Sequence, residues 1–161
     1  MIVKSGGILY LWDFDGTLFG HDEWKHLFHN NRACLKKGPY INPNNFDTRW
    51  SIMTSRPKMD KWFIKFVCTI NGLYPEEIIT QPTFFYRSKC KEDDFRYKEQ
   101  TIKNILDHKR AVKFTPFTIN KLIYVDNDRK CLQYLNSKNI GYEYLAITVA
   151  DFVQGTYTQI A

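Results

Sequence analysis

Two aspartates, Asp13 and Asp15, flank Phe14 at the end of the most apolar run in the chain, Ile8-Leu9-Tyr10-Leu11-Trp12, and Gly16 and Thr17 follow at once. Carboxylates beside a buried strand are costly unless a cation or a set of donors balances them. Two so close together need a counter-ion to stay ionised at the same time. A turn would account for Asp15-Gly16, because both residue types favour turns, but it leaves Asp13 unexplained. The pair points to a metal site.

The pattern of an apolar run ending in reactive side chains recurs twice. Leu122-Ile123-Tyr124-Val125 ends at Asp126, with Asp128 two residues on, and Trp50-Ser51-Ile52-Met53 ends at Thr54-Ser55-Arg56-Pro57. Asp128 also reads as a helix N-cap, and Thr54 and Ser55 as caps before Pro57, since Asp, Ser and Thr are ordinary caps. Arg56 offers a fork of donors suited to phosphate, with a surface arginine as the plain alternative. Lys98 shares an apolar helical stripe with Phe95, Ile102 and Ile105, where a solvated lysine has no reason to be. A lysine snorkelling from the core edge is the competing reading, and Lys89 and Lys91 are rival cations nearby.

These residues need elements to hold them. The continuous apolar runs 8–12, 50–53 and 122–125 suit strands buried on both faces. Residues 77–80 form a weaker strand candidate, and 142–149 offers a last one. Trp24, Leu27, Phe28 and Leu35 recur at helical spacing from Asp22 to about Lys37, before the stop signal Gly38-Pro39. After Pro57, which suits the first helical position, Met59, Trp62, Phe63, Phe66, Val67 and Ile70 fall on one helix face. Lys58, Lys61 and Lys65 fall on another, and Asn71-Gly72 ends the pattern. Asp94 is a plausible N-cap for a helix to about His108, and another helix starts at Asp128. Strands alternating with helices predict an α/β fold, a three-layer Rossmann-like sandwich around a mainly parallel sheet. In such sheets the site lies at the carboxyl ends of the strands.

At 161 residues and 43% hydrophobic, the chain suits one domain spanning 1–161. The net charge of +6 fits an anionic partner or simple solubility. The cysteines Cys34, Cys68, Cys90 and Cys131 are scattered without a metal-binding pair, and the histidines show no metal spacing, so free thiols and surface histidines are expected. The first residues are too short and polar for a signal peptide, and no apolar stretch approaches the roughly 20 residues of a membrane span. A cytoplasmic setting, cellular or viral, is the expectation.

Asp13-Phe14-Asp15-Gly16-Thr17 after a hydrophobic strand resembles the first motif of the haloacid dehalogenase superfamily of phosphatases. The resemblance continues in order over about residues 8–148: Thr54, with Ser55 competing, as the hydroxyl of the second motif; Lys98 as the lysine of the third; Asp126-Asn127-Asp128 as the acids of the fourth. It implies that Asp13 attacks phosphorus to form an aspartyl-phosphate. Asp15 would protonate the leaving group and then activate water, while Lys98 neutralises the nucleophile and the bound phosphate. Thr17, Ser55 and Arg56 would bind phosphate. Magnesium would be held by Asp13, Asp15, Asp126 and Asp128, with Asp126 as first choice in the fourth motif and Asp128 as second. Many relatives have adjacent or more widely spaced acids there, whereas here Asn127 intervenes.

Members of this superfamily often insert a cap domain, for which this chain has little room, so an open site without a large cap is expected. The insert from Gly20 to Asn45 could form a partial lid. Thr54-Ser55-Arg56-Pro57 and Asp128-Arg129 are also similar to the phosphatase domains of polynucleotide end-healing enzymes. With Lys58, Lys61 and Lys65 near the site, and Arg87, Lys89 and Lys91 before Lys98, the substrate implied is a nucleic-acid end or a nucleotide. The competing readings are a phosphatase of the same chemistry for a small metabolite or phosphoprotein, and a non-catalytic binding module on the same fold.

Overall fold

The computed structural model describes residues 7–20, 38–82, 91–107, 121–138, 140 and 144–155. Its centre is a sheet of β1 (Ile8–Trp12), β2 (Trp50–Met53), β3 (Ile78–Ile79), β4 (Lys121–Val125) and β5 (Tyr144–Ile147). The strand order is β3-β2-β1-β4-β5 and every pairing is parallel. The central strand is therefore β1, in register with β2 at Tyr10↔Trp50 and with β4 at Ile8↔Lys121. This is the α/β sandwich expected from the alternating runs.

Burial on both faces explains why these strands are uninterrupted apolar runs. The period of two sends Tyr10 and Trp12 to one face, with Trp50, Ile52, Ile123 and Val125. Leu9 and Leu11 go to the other, with Met53, Leu122 and Tyr124. The first face is covered by α1 (Lys61–Ile70) and by Phe152 of α4 (Val149–Gln154), the second by α2 (Lys91–Leu106) and α3 (Arg129–Ser137). Phe152 anchors its short helix through edge-on contacts with Trp12 at 4.8 Å, Phe46 at 4.9 Å and Tyr10 at 5.5 Å.

Four element boundaries, and the buried face of one helix, differ from the sequence reading. Pro57 precedes a 3-10 turn at Lys58–Asp60, which leads into α1, so it stands one position before the helical turn. The buried stripe of α1 is Phe63, Ile64, Val67 and Cys68, while Trp62, Phe66 and Ile70 face solvent. Helix α2 begins at Lys91 rather than after Asp94, so Glu92, Asp93 and Asp94 fill its first turn, where the helix dipole favours acids. The strand candidates 77–80 and 142–149 shorten to Ile78–Ile79 and Tyr144–Ile147.

The helix expected over 22–37 lies outside the described residues, as do Arg87, Lys89, Cys34, Cys90 and the four histidines. Most of the insert read as a partial lid lies there too. Among the described residues no helix is long and apolar enough to cross a membrane.

Candidate functional site

The three strand ends that carry reactive side chains are neighbours because β1 lies between β2 and β4. Each first residue beyond its strand is still held by a ladder bond: Asp13 N donates to Val125 O at 3.0 Å, Thr54 N to Ile79 O at 2.9 Å, and Asp126 N to Ile147 O at 3.0 Å. The rim is therefore set by the sheet itself. Past Asp13 the chain turns sharply, with Gly16 at φ 77, a conformation that L side chains rarely adopt. That turn buries Phe14 against Phe19 at 5.2 Å.

Lys98 reaches this rim from α2. Its Nζ lies 3.2 Å from Asp13 Oδ1 and 3.1 Å from Asp126 Oδ2, so one buried cation bridges two buried carboxylates. Burial, and after it Asp126, raises the Asp13 carboxyl to about 8 against the opposing pull of Lys98. Burial works against the charge on Lys98, but Asp13 and Asp126 together lift it above the ordinary lysine range. The Thr17 hydroxyl stands between the same two acids, 3.2 Å from Asp13 Oδ2 and 3.4 Å from Asp126 Oδ1, and its single proton serves one at a time.

Asp126 is enclosed by donors. Besides Lys98 and Thr17, it accepts from the Tyr124 hydroxyl at 2.5 Å and from Asp128 N at 2.8 Å. Burial, and then Asp126, pushes the Tyr124 hydroxyl well above its usual range, so it remains a donor. Asp128 caps α3 through Oδ1, which accepts from Lys130 N at 3.0 Å and Cys131 N at 3.3 Å. Its Oδ2 is left outside that cap.

Arg56, read as a phosphate fork or a surface residue, is neither exposed nor on the cavity wall. It is 3% exposed, and its Nε and Nη2 donate to the two oxygens of Asp15, both at 2.8 Å. Nη1 approaches Asp60 at 3.4 Å, and the guanidinium lies over Phe14 at 5.3 Å.

An open cavity of about 460 Å³ is lined by Asp13, Asp15, Thr54, Ser55, Lys98, Asp126 and Asp128. Seven of the nine expected site residues thus share one wall, together with Gly16, Lys91, Asp94 and Asn127. The other two, Thr17 and Arg56, stand behind it and hold Asp13 and Asp15. Thr54 Oγ1 accepts from Arg56 N at 3.2 Å, which leaves the hydroxyl proton free to donate into the cavity. Sequence reasoning missed Tyr124, Asn127 and Asp94. Tyr124 had a signal, since residues two apart on a strand share a face, here with Asp126. Asn127 joins the loops by donating from N to Thr17 Oγ1 at 3.3 Å and from Nδ2 to Gly16 O at 3.2 Å.

The donor chemistry suits magnesium. Among the described residues the wall carries five acids, Asp13, Asp15, Asp94, Asp126 and Asp128, and two cations, Lys91 and Lys98, and the acids' donor atoms are all hard oxygens. Among the described residues no three acids converge as a ready-made cage. Asp15 is turned to Arg56, and Asp126 is enclosed by donors. Magnesium does not require such a cage, because it usually takes one or two carboxylates and completes its shell with waters and substrate phosphate. Asp13 and Asp128 Oδ2 fit that need. No protein-family model, curated protein or solved structure matches this chain.

Proposed function

We propose that the chain is a magnesium-dependent phosphohydrolase of the haloacid dehalogenase type, acting on nucleic-acid ends or nucleotides through an aspartyl-phosphate on Asp13. The observation that carries this reading is the bridge from Lys98 to Asp13 and Asp126 on the wall of an open cavity. A buried lysine between two carboxylates at parallel strand ends orients one of them and lowers the barrier to its meeting a phosphate dianion.

The chain's own groups divide the work. Asp13 attacks phosphorus, and the bond to the leaving oxygen breaks as Asp15 supplies a proton to it. Asp15 then takes a proton from the water that attacks the acyl phosphate, releasing inorganic phosphate and restoring the Asp13 carboxylate. The Thr54 and Ser55 hydroxyls face the cavity as donors for phosphoryl oxygens. Magnesium, held by Asp13 and a fourth-motif acid, would offset the charge of the phosphate and align it for attack. The buried thiols Cys68 and Cys131 suit the reducing, cytoplasmic setting in which we place the enzyme.

The test is phosphate release from p-nitrophenyl phosphate and from an end-phosphorylated oligonucleotide, with magnesium. Activity is expected in the wild type, lost on chelation and abolished in Asp13→Asn, whose amide keeps the shape but is a poor nucleophile. Turnover of Asp13→Asn above about a tenth of wild type would rule out the covalent route.

A further inference from the structure

Beside the acidic cavity, along the β3 edge of the sheet, lies a second cleft of about 450 Å³ with the opposite charge. Lys58 and Lys61 stand on one wall. Gln81 lies just past β3, and Gln100, Thr101 and Asn104 come from α2. Tyr97 adds an aromatic surface, and no acid lines the cleft among the described residues. Gln81, which lines the cleft, donates from Nε2 to Oδ1 of Asp94, which lines the cavity, at 3.0 Å. Since β3 pairs with β2 and Thr54 N donates to Ile79 O at 2.9 Å, the strand that lines the cleft is the direct neighbour of the one that ends in Thr54.

We propose that this cleft is a substrate subsite that holds the phosphodiester next to the terminal phosphate of a nucleic-acid strand. The inference rests on the phosphohydrolase reading and names the part of the substrate that reading leaves open. Two lysines on a wall that holds no carboxylate among the described residues favour a phosphate. Carboxamides and a threonine hydroxyl serve a sugar or base edge, and an aromatic ring offers a base a face to lie on. A cleft of this volume takes a ligand of nucleotide size. The geometry also divides the lysine row read from the sequence. Lys58 lines this cleft and Lys65 a neighbouring depression that also holds Glu76 and Glu77, while Lys61 stands between them and lines both.

The experiment compares wild type, Lys58→Glu/Lys61→Glu, Lys65→Glu and Asn104→Asp on p-nitrophenyl phosphate and on an end-phosphorylated decanucleotide. Binding of the same oligonucleotide, fluorescently labelled, is measured in parallel by anisotropy at several salt concentrations. The double variant and Asn104→Asp are expected to lose about tenfold or more in oligonucleotide kcat/KM and affinity, the double variant with a shallower salt slope. Lys65→Glu should stay within about twofold, and all variants should hydrolyse the small ester as wild type does. Equal loss from Lys65→Glu, or none from the other two, would overturn the subsite. If no variant and no wild type releases phosphate from any ester, it is the hydrolase reading that falls. The binding arm then decides the cleft alone: tenfold weaker binding by the double variant supports it, and unchanged binding overturns it.

Discussion

Arg56 grips Asp15 with two parallel hydrogen bonds of 2.8 Å, across 41 residues of sequence. The fork fixes the orientation of a carboxylate that a single donor would leave free to rotate. Lysine at this position would be a point donor. Arg56→Lys is therefore expected to lower kcat on a small ester by about a hundredfold, the scale of a misplaced acid–base group. KM should hardly move, because Arg56 does not line the cavity. A raised KM with kcat preserved would show instead that the guanidinium binds phosphate.

Lys98→Met leaves Asp13 and Asp126 facing each other with no cation between them. In metal-free buffer this should cost about 3–5 kcal/mol in a denaturant melt, the usual price of orphaning buried charge. Adding Asp126→Asn should recover much of that loss without restoring turnover. A Lys98→Met chain as stable as wild type would mean that the bridge contributes nothing to folding.

Asp128 and Asp126 can be separated as metal ligands by the amide. Asparagine caps a helix as well as aspartate does, so Asp128→Asn should stay within about 0.5 kcal/mol of wild type. If Asp128 Oδ2 meets magnesium, the concentration for half-maximal activity should rise about tenfold or more, as it does even for indirect metal partners. An unchanged magnesium requirement, with Asp126→Asn shifting it, would assign the ligand to Asp126.

On α1, adjacent aromatic residues should differ widely in their effect on stability. Phe63 is 7% exposed and Trp62 is 72% exposed. Phe63→Ala should cost about 3–5 kcal/mol, and Trp62→Ala about 0.5 kcal/mol or less. Comparable losses would place Trp62 in the core, where its sequence pattern puts it.

That contrast shows where the sequence was silent. Strand ends were legible because a run buried on both faces is apolar throughout, so Asp13, Thr54 and Asp126 stand out where it stops. Helix α1 offers two apolar stripes, Trp62-Phe66-Ile70 and Phe63-Ile64-Val67-Cys68, and hydrophobicity alone does not select which one faces the sheet. The start of α2 was missed because its first turn is polar and carries no apolar period. Lys98 was legible as a cation misplaced on an apolar stripe, and Asp128 as a cap. Arg56 was not, since its partner is fixed by strand adjacency, which local pattern does not encode.

The central place of β1 also has a consequence in time. Thr17, just beyond it, and Asp126, just beyond β4, are 109 residues apart in sequence. At translation rates of about 5–20 residues per second, β1 waits on the order of ten seconds for that neighbour to be synthesised. Through that interval the most apolar strand of the chain has only β2 as a nearer sheet partner, and its open edge is a target for chaperones or for aggregation. A nascent chain that stops short of β4 already carries Asp13, Asp15, Thr54 and Lys98, but not the acid that shares the lysine. The candidate site is completed only once Asp126 emerges, so early release of the chain would yield a strand edge prone to stick and a site without its shared acid.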